Sequence, residues 1–433
     1  MRWISKLSIP FTLLVVTWCA SNINWGKKNC GTILEADAKG YYAYLPAVFI
    51  YHDLHFSFHD TIEKKYYSGD TYYEYRTLYK GVKINKYYSG TAIAQLPFFL
   101  VAHALTFMTS YPTDGFSRLY QVFMNIAAIF YLFIGLVFMR NYLRSFQVND
   151  NVIAFIILLI VFGTNLFYYA VSEPGMSHVY SFAFISMFAY YSRKYFITLD
   201  HTYTFYCAAL LGLSFLIRPV NVLVIFTLPF AAGSFEKFRE GMKAMVKQKI
   251  KFFFACSLVF GIILIQFLVY KIQTGDLFIY SYGTEGFNWF DPHPIDFLFS
   301  FRKGVFVYTP LLLFAMAGFA YLWKKERFRF YSLFIFSGVL IYVLSAWWNW
   351  WYGGSFGSRV MIDYYIFDAL LIGLTYKSVE KRWARITYTT MLVLCTLLCV
   401  AQTYQYRYNI IHWENMDAAK YWNVFLDFGK ILN

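Results

Sequence analysis

Charged residues are scarce in this sequence, and their scarcity excludes an ordinary soluble domain. Only 14% of the 433 residues are Asp, Glu, Lys or Arg, whereas 59% are hydrophobic. Soluble domains carry roughly a quarter charged residues. Because long apolar runs recur along the whole chain, we predict an all-α integral membrane protein that forms one multi-pass domain over residues 1–433.

Several familiar motifs are also missing. The chain has no Walker A loop, no glycine-rich dinucleotide fingerprint and no HExxH helix. ATP-driven transport and nicotinamide chemistry therefore have no support. A disulfide framework is excluded as well, because five of the six cysteines fall in apolar runs and leave Cys30 alone in a loop.

The net charge of +14 is a topology signal, and it does not predict a nucleic-acid partner. The basic residues cluster in short loops between apolar runs, as the positive-inside rule requires of cytoplasmic loops. The rule is satisfied best if the amino end is cytoplasmic and the Pro-containing apolar run 91–108 does not cross. We therefore expect a plasma (inner) membrane protein whose residues 21–115 lie outside.

This orientation predicts about eleven membrane spans of helical length. The first apolar run is either an uncleaved span or a cleaved signal peptide, and the many later spans favour the former. The outer segments are a long first loop with interfacial helices and a small hairpin (21–115), a second loop (273–304) and the tail (405–433). The spans are 1–20, 116–139, 152–171, 175–193, 203–217, 219–233, 252–271, 305–323, 330–348, 360–376 and 386–404.

An acidic stretch follows the first span directly. Glu35 and Asp37 lie between apolar sequences, and a carboxylate in a partly dehydrated cleft can act as a general base because desolvation raises its pKa. If the segment is helical, Asp37 shares a face with Tyr41, and Glu35 shares one with Lys39. Lys39 would then pair with Glu35, which makes Asp37 the predicted base and Glu35 the alternative. An ordinary solvated loop is the competing interpretation.

Outer-side cations stand at the ends of several predicted spans, at the depth of a lipid phosphate. Lys or Arg at this depth can bind a phosphate and stabilise it as a leaving group. Snorkelling is the competing interpretation, and for Arg359 a helix-end ion pair with Asp363 is another. The predicted phosphate-binding residues are Lys86, Arg359, Lys39, Arg302 and Lys303.

A third group of outer residues is predicted to bind acceptor or sugar. Aromatic faces stack on sugar CH surfaces, although they also anchor helices at the membrane interface. Glu173 and His178 flank a Pro-Gly turn and would position an acceptor hydroxyl or, alternatively, cap the next helix. The predicted acceptor and sugar residues are Glu173, His178, Tyr41, Tyr42, Trp350 and Tyr352.

Histidines and acids are also dense in the first outer loop, where they resemble a metal cluster. His52, His55 and His59 would share a helix face, beside Asp53 and Asp60, but a wet amphipathic face explains the spacing better. No metal site and no cofactor are predicted. Divalent-metal dependence of the activity is left open by the sequence.

Three short motifs resemble one enzyme family. Glu35-x-Asp37 after the first span is similar to the acidic start of the first outer loop in GT-C fold glycosyltransferases, nearest to the protein O-mannosyltransferase and aminoarabinose-transferase group. Lys86-Tyr87-Tyr88-Ser89-Gly90 resembles that group's Lys-Pro-Pro-Leu, whose lysine faces the carrier phosphate, although Tyr-Tyr replaces Pro-Pro. Glu173 sits where many members have an outer carboxylate. The segment Trp347–Arg359, which includes Tyr352-Gly353-Gly354-Ser355-Phe356-Gly357-Ser358-Arg359, looks like a late loop of bacterial members of unknown substrate.

This resemblance implies transfer of a sugar from a polyprenyl-phosphate carrier to a lipid, glycan or protein acceptor, at the outer face and with inversion. The rival class is a transporter or flippase for a lipid-linked saccharide. A transporter predicts charges facing the bundle interior at mid-membrane depth, where Asp368 is nearly the only acid. A structural subunit without a pocket is a second rival. We therefore predict a GT-C-like membrane glycosyltransferase.

Overall fold

The computed structural model describes residues 3–26, 30–67 and 71–429, and most of them are helical. The first third of the chain holds α1 (Ile4–Asn24), a 3-10 turn (Cys30–Ile33), α2 (Asp37–Pro46) with a π-helical extension (Ala47–Tyr51), α3 (His59–Tyr66), the strands β1 (Arg76–Tyr79) and β2 (Val82–Asn85), and α4 (Gly90–Thr106). The predicted loop 21–115 and tail 405–433 each include a few residues outside the described ranges.

The middle of the chain is a series of helices broken by short turns. It comprises α5 (Arg118–Ser145), α6 (Asp150–Phe162), α7 (Leu166–Val171), α8 (His178–Thr198), α9 (Thr202–Ile217), a 3-10 segment (Pro219–Thr227), α10 (Leu228–Ala232), α11 (Phe235–Lys247) and α12 (Lys249–Thr274).

The last third contains several very short helices before two long ones. It comprises α13 (Pro294–Phe299), α14 (Val305–Tyr308), α15 (Leu311–Ala315), α16 (Ala317–Lys325), α17 (Arg327–Ser345), a 3-10 segment (Arg359–Tyr364), α18 (Tyr365–Ser378), α19 (Arg382–Arg407) and α20 (Ala418–Asn423).

Within the described ranges, five helices are long and apolar enough by length and composition to cross a membrane: α1, α5, α12, α17 and α19. The pair Pro219–Ala232 and α11 passes the same test but is bent by 118°. Other predicted spans are interrupted: the span over 152–171 is split between α6 and α7, and the span over 305–323 between three short helices. Pro310 explains one break, because proline offers no N–H for the helical ladder. The number eleven stays a prediction.

The helix predicted at the start of the first outer loop is present, but it is surrounded by protein. Every residue of α2 from Ala38 to Pro46 is buried. Gly40 allows Tyr87 to approach, since a side chain at Gly40 would collide with that ring. The predicted hairpin is confirmed as the antiparallel pair β1–β2, and Asn85 at its end donates a 2.7 Å hydrogen bond to the Gly40 carbonyl.

Both ends of α4 contact other residues of the predicted first outer loop. Before α4, the Tyr87 carbonyl accepts a 2.7 Å hydrogen bond from the Tyr44 hydroxyl. After α4, the Asp114 carboxylate lies 2.6 Å from the Lys65 ammonium and accepts a 2.7 Å hydrogen bond from Tyr66. A helix whose two ends bind one polar segment fits the prediction that residues 91–108 do not cross.

Cysteine labelling tests this topology. In a variant without the six native cysteines, we expect Lys83→Cys and Thr113→Cys both to react with an impermeant maleimide in intact cells, because both positions are exposed. Lys325→Cys, exposed beside a predicted cytoplasmic loop, should react only after permeabilisation. Labelling of position 83 without position 113 would show that α4 crosses the membrane.

Candidate active site

A cavity of about 830 Å³ lies between residues of the predicted first outer loop and several later turns of the chain. Its volume falls in the usual range for small-molecule sites. Aromatic rings form much of its wall, including Tyr72, Tyr73, Tyr87, Tyr88, Tyr280, Tyr282, Phe287, Trp347 and Trp348. The titratable groups at its surface that are not phenols are Glu35, Asp37, Lys86, His178, Arg218, Glu285 and Arg359.

Asp37, the first residue of α2, is the most heavily bonded carboxylate of this cavity. Its Oδ2 lies 2.6 Å from Arg359 Nη2, and its Oδ1 accepts 2.7 Å hydrogen bonds from Tyr73 and Tyr87. Burial acts to raise the pKa of Asp37, but the Arg359 guanidinium and the two hydroxyls hold it well below its usual range. Asp37 is therefore ionised and a weak proton acceptor, which opposes its predicted role as the base.

The surroundings of Glu35 differ from those of Asp37, because the Glu35 carboxylate has no bonded side-chain partner in the described ranges. It lines the cavity and is half-buried, and within the described ranges no side chain donates a hydrogen bond to it or pairs with it. Burial raises the pKa of Glu35 above its ordinary value, although the charges of Lys39 and Arg407 act to lower it. Of the two predicted catalytic carboxylates, Glu35 is thus the more basic and the more accessible.

The predicted ion pair between Lys39 and Glu35 is wrong. Ala36 has φ 47°, a strained value for a residue with a side chain, and α2 begins only at Asp37. Glu35 therefore stands outside the helix, and the i,i+4 rule does not apply to it. Lys39 instead donates 2.8 Å hydrogen bonds to both carboxylate oxygens of Glu63 and one of 2.7 Å to the Thr71 carbonyl. Lys39 is buried and does not line the cavity, so the structure does not place it as a phosphate ligand.

The three cations of the cavity each have one carboxylate partner. Lys86 Nζ lies 3.3 Å from Glu285 Oε1 and sits over the rings of Tyr73 and Tyr87. Arg359 pairs with Asp37. A phosphate entering the cavity would therefore compete with the carboxylates that these cations already contact.

The third pair involves a buried carboxylate, Asp363, that the sequence analysis considered only as a helix-end partner of Arg359. Asp363 has no exposed surface, and its two oxygens lie 3.1 Å from Arg218 Nη1 and 3.0 Å from His178 Nδ1. It contacts these two groups, and not Arg359 as the helix-end alternative predicted. Asp363 thus fixes the positions of Arg218 and His178, both of which line the cavity. In the sequence, the cation Arg218 between two apolar runs is a signal that could have indicated this site.

Glu173 lies behind the cavity wall and does not line it. Its Oε1 accepts a 3.0 Å hydrogen bond from Tyr168, and its buried Oε2 has no hydrogen-bond partner among the described residues. Burial raises the pKa of Glu173 to about 7, although Arg359 and Tyr168 act to lower it. Glu173 is therefore placed to influence Arg359 and not to contact a ligand directly.

The structure places four further predicted residues outside the cavity. Tyr42 is buried and donates to the Gly115 carbonyl, and Trp350 lies beside the His293 ring. Arg302 stacks on Trp351 with its guanidinium 3.5 Å from the ring centre. Lys303 is buried and donates to the carbonyls of Ser355 and Trp413. Arg302 and Lys303 thus stabilise the late loop, and phosphate contact by them is not supported.

Two predicted aromatic residues do reach the cavity. Tyr41, on α2, and Tyr352, on the late loop, both line it. Tyr352 has φ 58° and Gly353 has φ 65°, so two successive left-handed residues turn the loop sharply here. Tyr352 also donates a 2.9 Å hydrogen bond to the Leu344 carbonyl, which fixes the ring at the cavity surface.

One group of side chains in the described ranges has metal-ligand spacing, and it differs from the histidine cluster in the sequence. It comprises His59, Asp60 and Glu74. Arg76 already contacts both carboxylates, at 2.9 Å from Asp60 and 2.7 Å from Glu74. The guanidinium charge neutralises the group that a cation would bind, so these residues are better explained as an ion-pair network that holds β1 against α3.

No protein-family model and no curated protein matches this chain. Among solved structures it is similar to the Archaeoglobus fulgidus oligosaccharyltransferase in its apo form (TM-score 0.47, 12% identity, covering 99% of this chain and 60% of that one). It is also similar to AglB from that organism with an inhibitory peptide and a dolichol-phosphate (0.45, 12%, 98% and 58%), and to the complex with Zn and sulfate (0.46, 11%, 96% and 54%). The chain thus spans about 60% of the length of that enzyme, and the comparison assigns no substrate or residue role.

Proposed function

We propose that the protein is a membrane glycosyltransferase that moves a sugar from a polyprenyl-phosphate carrier to an acceptor hydroxyl at the outer face of the plasma membrane. One observation carries this proposal. A single aromatic-walled cavity holds a basic carboxylate, Glu35, close along the chain to the Asp37–Arg359 ion pair, and Lys86 lines the same cavity. These are the groups that sugar transfer from a lipid phosphate requires.

The carrier's lipid tail would lie along α12. Only 11% of the most apolar stretch of this helix is buried in protein. The chain that follows α12 supplies Tyr280, Tyr282 and Glu285 to the cavity wall. A prenyl chain resting on α12 would therefore place its phosphate beside Lys86 and Glu285.

Transfer would proceed as one displacement with inversion. Glu35 takes the proton of the acceptor hydroxyl, and the hydroxyl oxygen attacks the anomeric carbon. The bond from that carbon to the phosphate oxygen breaks, and polyprenyl phosphate leaves with the electron pair. Lys86 and Arg359 stabilise the charge of the departing phosphate. Asp37 holds Arg359 in place, so both predicted catalytic carboxylates keep a role.

The acceptor and sugar would occupy the part of the cavity near His178, Tyr41 and Tyr352. His178 Nδ1 is engaged by Asp363, which leaves its other ring nitrogen for an acceptor hydroxyl. The acceptor is a lipid, a glycan or a protein, and membrane lipids rather than nucleic acid surround the site. The reaction as written uses no cofactor. The amino end is proposed to be cytoplasmic.

The direct test uses purified protein with labelled polyprenyl-phosphate sugars and candidate acceptors. We expect release of free polyprenyl phosphate together with a glycosylated acceptor. Parallel reactions with a chelator, and with added Mg²⁺ or Mn²⁺, determine metal dependence. A flippase would instead move the intact lipid-linked sugar across liposomes without cleavage, and that result would replace the proposal.

Lys86→Ala and Arg359→Ala should each weaken donor binding at least about tenfold, because a lost charge-assisted contact in a partly dry site costs about 1.5–3 kcal/mol. The measurement is a binding titration with the polyprenyl-phosphate sugar. Lys83→Ala removes an exposed lysine of the same hairpin and should leave the affinity unchanged. Unaltered donor affinity in both cavity variants would exclude these cations as phosphate ligands.

The dependence of turnover on pH should show the protonation of Glu35. Because burial raises its pKa above the ordinary value of 4.5, the basic form is present at high pH and is lost as pH falls through the raised pKa. Turnover should therefore decline on the acid side at a pH above 4.5. Glu173→Gln is the control, since Glu173 has a pKa of about 7. The decline should persist in that variant, and its disappearance would assign it to Glu173.

A further inference from the structure

The helix α11 lies at the other end of the molecule from the cavity. His178, the first residue of α8, lines the cavity, whereas Tyr195 and Phe196 near the end of α8 contact Gly241 of α11. The 18 steps between residues 178 and 196 correspond to about 27 Å of helix, close to the roughly 30 Å of a bilayer's hydrocarbon core. If the cavity is at one membrane boundary, α11 is at the other.

The direction of α11 also fits a position along the membrane surface. It meets the preceding helical segment at 118°, and it is followed after one residue by α12, a candidate span. If the chain crosses the membrane along one apolar segment and returns along the next, the helix between them must run roughly parallel to the membrane surface. α11 is the helix in this position.

α11 presents three different faces. Its protein face carries Gly241, which fits closely against Phe196, and the partly buried Phe238 and Met245. Its apolar exposed face carries Phe235 (57% exposed) and Val246 (50%), which lie within about 20° of one another around the helix. The remaining face carries the exposed cations Lys237, Arg239, Lys243 and Lys247.

These cations differ from those of the cavity. None of the four forms an ion pair within the described part of the chain, whereas Lys86, Arg218 and Arg359 all do. They outnumber the two acids of α11, Glu236 and Glu240, and Lys249 and Lys251 follow at once. An exposed apolar stripe bordered by unpaired cations is complementary to a layer of anionic headgroups over hydrocarbon.

We propose that α11 lies in the membrane interface opposite the cavity and binds anionic phospholipid headgroups there. Phe235 and Val246 would enter the boundary between headgroups and acyl chains, and the four cations would contact lipid phosphates. The inference does not depend on the proposed enzymatic activity, because it uses only the position and surface of α11.

Depth measurements test the insertion. The full chain without its native cysteines, carrying Val246→Cys with a bimane label, is reconstituted in phosphatidylcholine nanodiscs with one third phosphatidylglycerol. We expect quenching by lipids that carry a nitroxide near the headgroup. The matched position is Glu240→Cys, exposed and about 120° away around the helix, which should be quenched by a water-soluble agent instead. A Val246 label that is quenched from water, or shielded from both agents by a second copy of the chain, would overturn the proposal.

A preference for anionic over zwitterionic lipid tests the role of the four cations of α11. With brominated phosphatidylglycerol the Val246 label should be quenched at least about twofold more than with brominated phosphatidylcholine. This preference should vanish when Lys237, Arg239, Lys243 and Lys247 are all changed to Gln. A matched variant with Gln at the exposed cavity-side lysines Lys64, Lys83 and Lys271 should keep it. Equal preference in all three proteins would show that α11 does not bind anionic headgroups.

Discussion

Glu35→Gln is expected to lower turnover by about 10²–10⁴-fold, the usual effect of removing a general base, while donor binding persists. The substitution keeps the size of the side chain and removes only its basicity. Glu35 lines the cavity, its carboxylate has no side-chain partner in the described ranges, and burial raises its pKa. The measurement is single-turnover transfer from a labelled polyprenyl-phosphate sugar, beside a binding titration of the same donor.

Asp37→Asn is the matched comparison, because it changes a carboxylate two residues away in the same cavity. Asn cannot neutralise Arg359, which lies 2.6 Å from the Asp37 carboxylate. We expect a smaller loss of turnover than for Glu35→Gln, with donor affinity maintained by the released guanidinium. If Asp37→Asn is inactive and Glu35→Gln turns over normally, the two roles are the reverse. If both variants are active, this cavity is not the catalytic site.

The sequence singled out the acidic segment and Lys86, and both line the same cavity, because the predicted hairpin between them returns the chain to α2, where Asn85 donates to the Gly40 carbonyl. It failed on which carboxylate is free. That choice depends on Arg359, which comes 322 residues after Asp37, and on Tyr73 and Tyr87. Such contacts leave no local pattern of spacing or charge. The contacts of Asp363 were not predicted for the same reason, since its partners Arg218 and His178 lie 145 and 185 residues away along the chain.

Hydropathy predicted the class of fold but overestimated the regularity of the helices. The segments 152–171 and 305–323 are apolar on average, yet both are broken, the second of them at Pro310. Asn165, at the first break, donates to the Phe356 carbonyl and accepts from Tyr365. Phe356 belongs to the late loop, and Tyr365 is the first residue of α18. An average of hydropathy over a segment does not detect one polar residue such as Asn165. Its hydrogen bonds nevertheless determine where the helix is interrupted.

Lys39 shows how a charge next to the acidic segment can serve the fold rather than a ligand. Its side chain is 1% exposed and that of Glu63 is 4% exposed, with 2.8 Å between ammonium and carboxylate. The ammonium also lies 3.5 Å from the centre of the Tyr67 ring. A phosphate would have to displace a buried carboxylate to reach it. The pair therefore connects α2 to α3 and supports the cavity from behind.

Glu63→Gln should consequently destabilise the protein by about 3–5 kcal/mol, because removing one partner leaves an uncompensated charge in a buried position. The double variant Lys39→Met with Glu63→Leu removes both charges and should recover most of the loss, since well-packed apolar pairs often replace buried ion pairs at little cost. The measurement is unfolding in detergent followed by tryptophan fluorescence. Lys64→Gln, an exposed neighbour, should have almost no effect. If Lys39 were a phosphate ligand, the double variant would be stable but unable to bind donor, whereas a structural Lys39 predicts a stable double variant with full donor affinity.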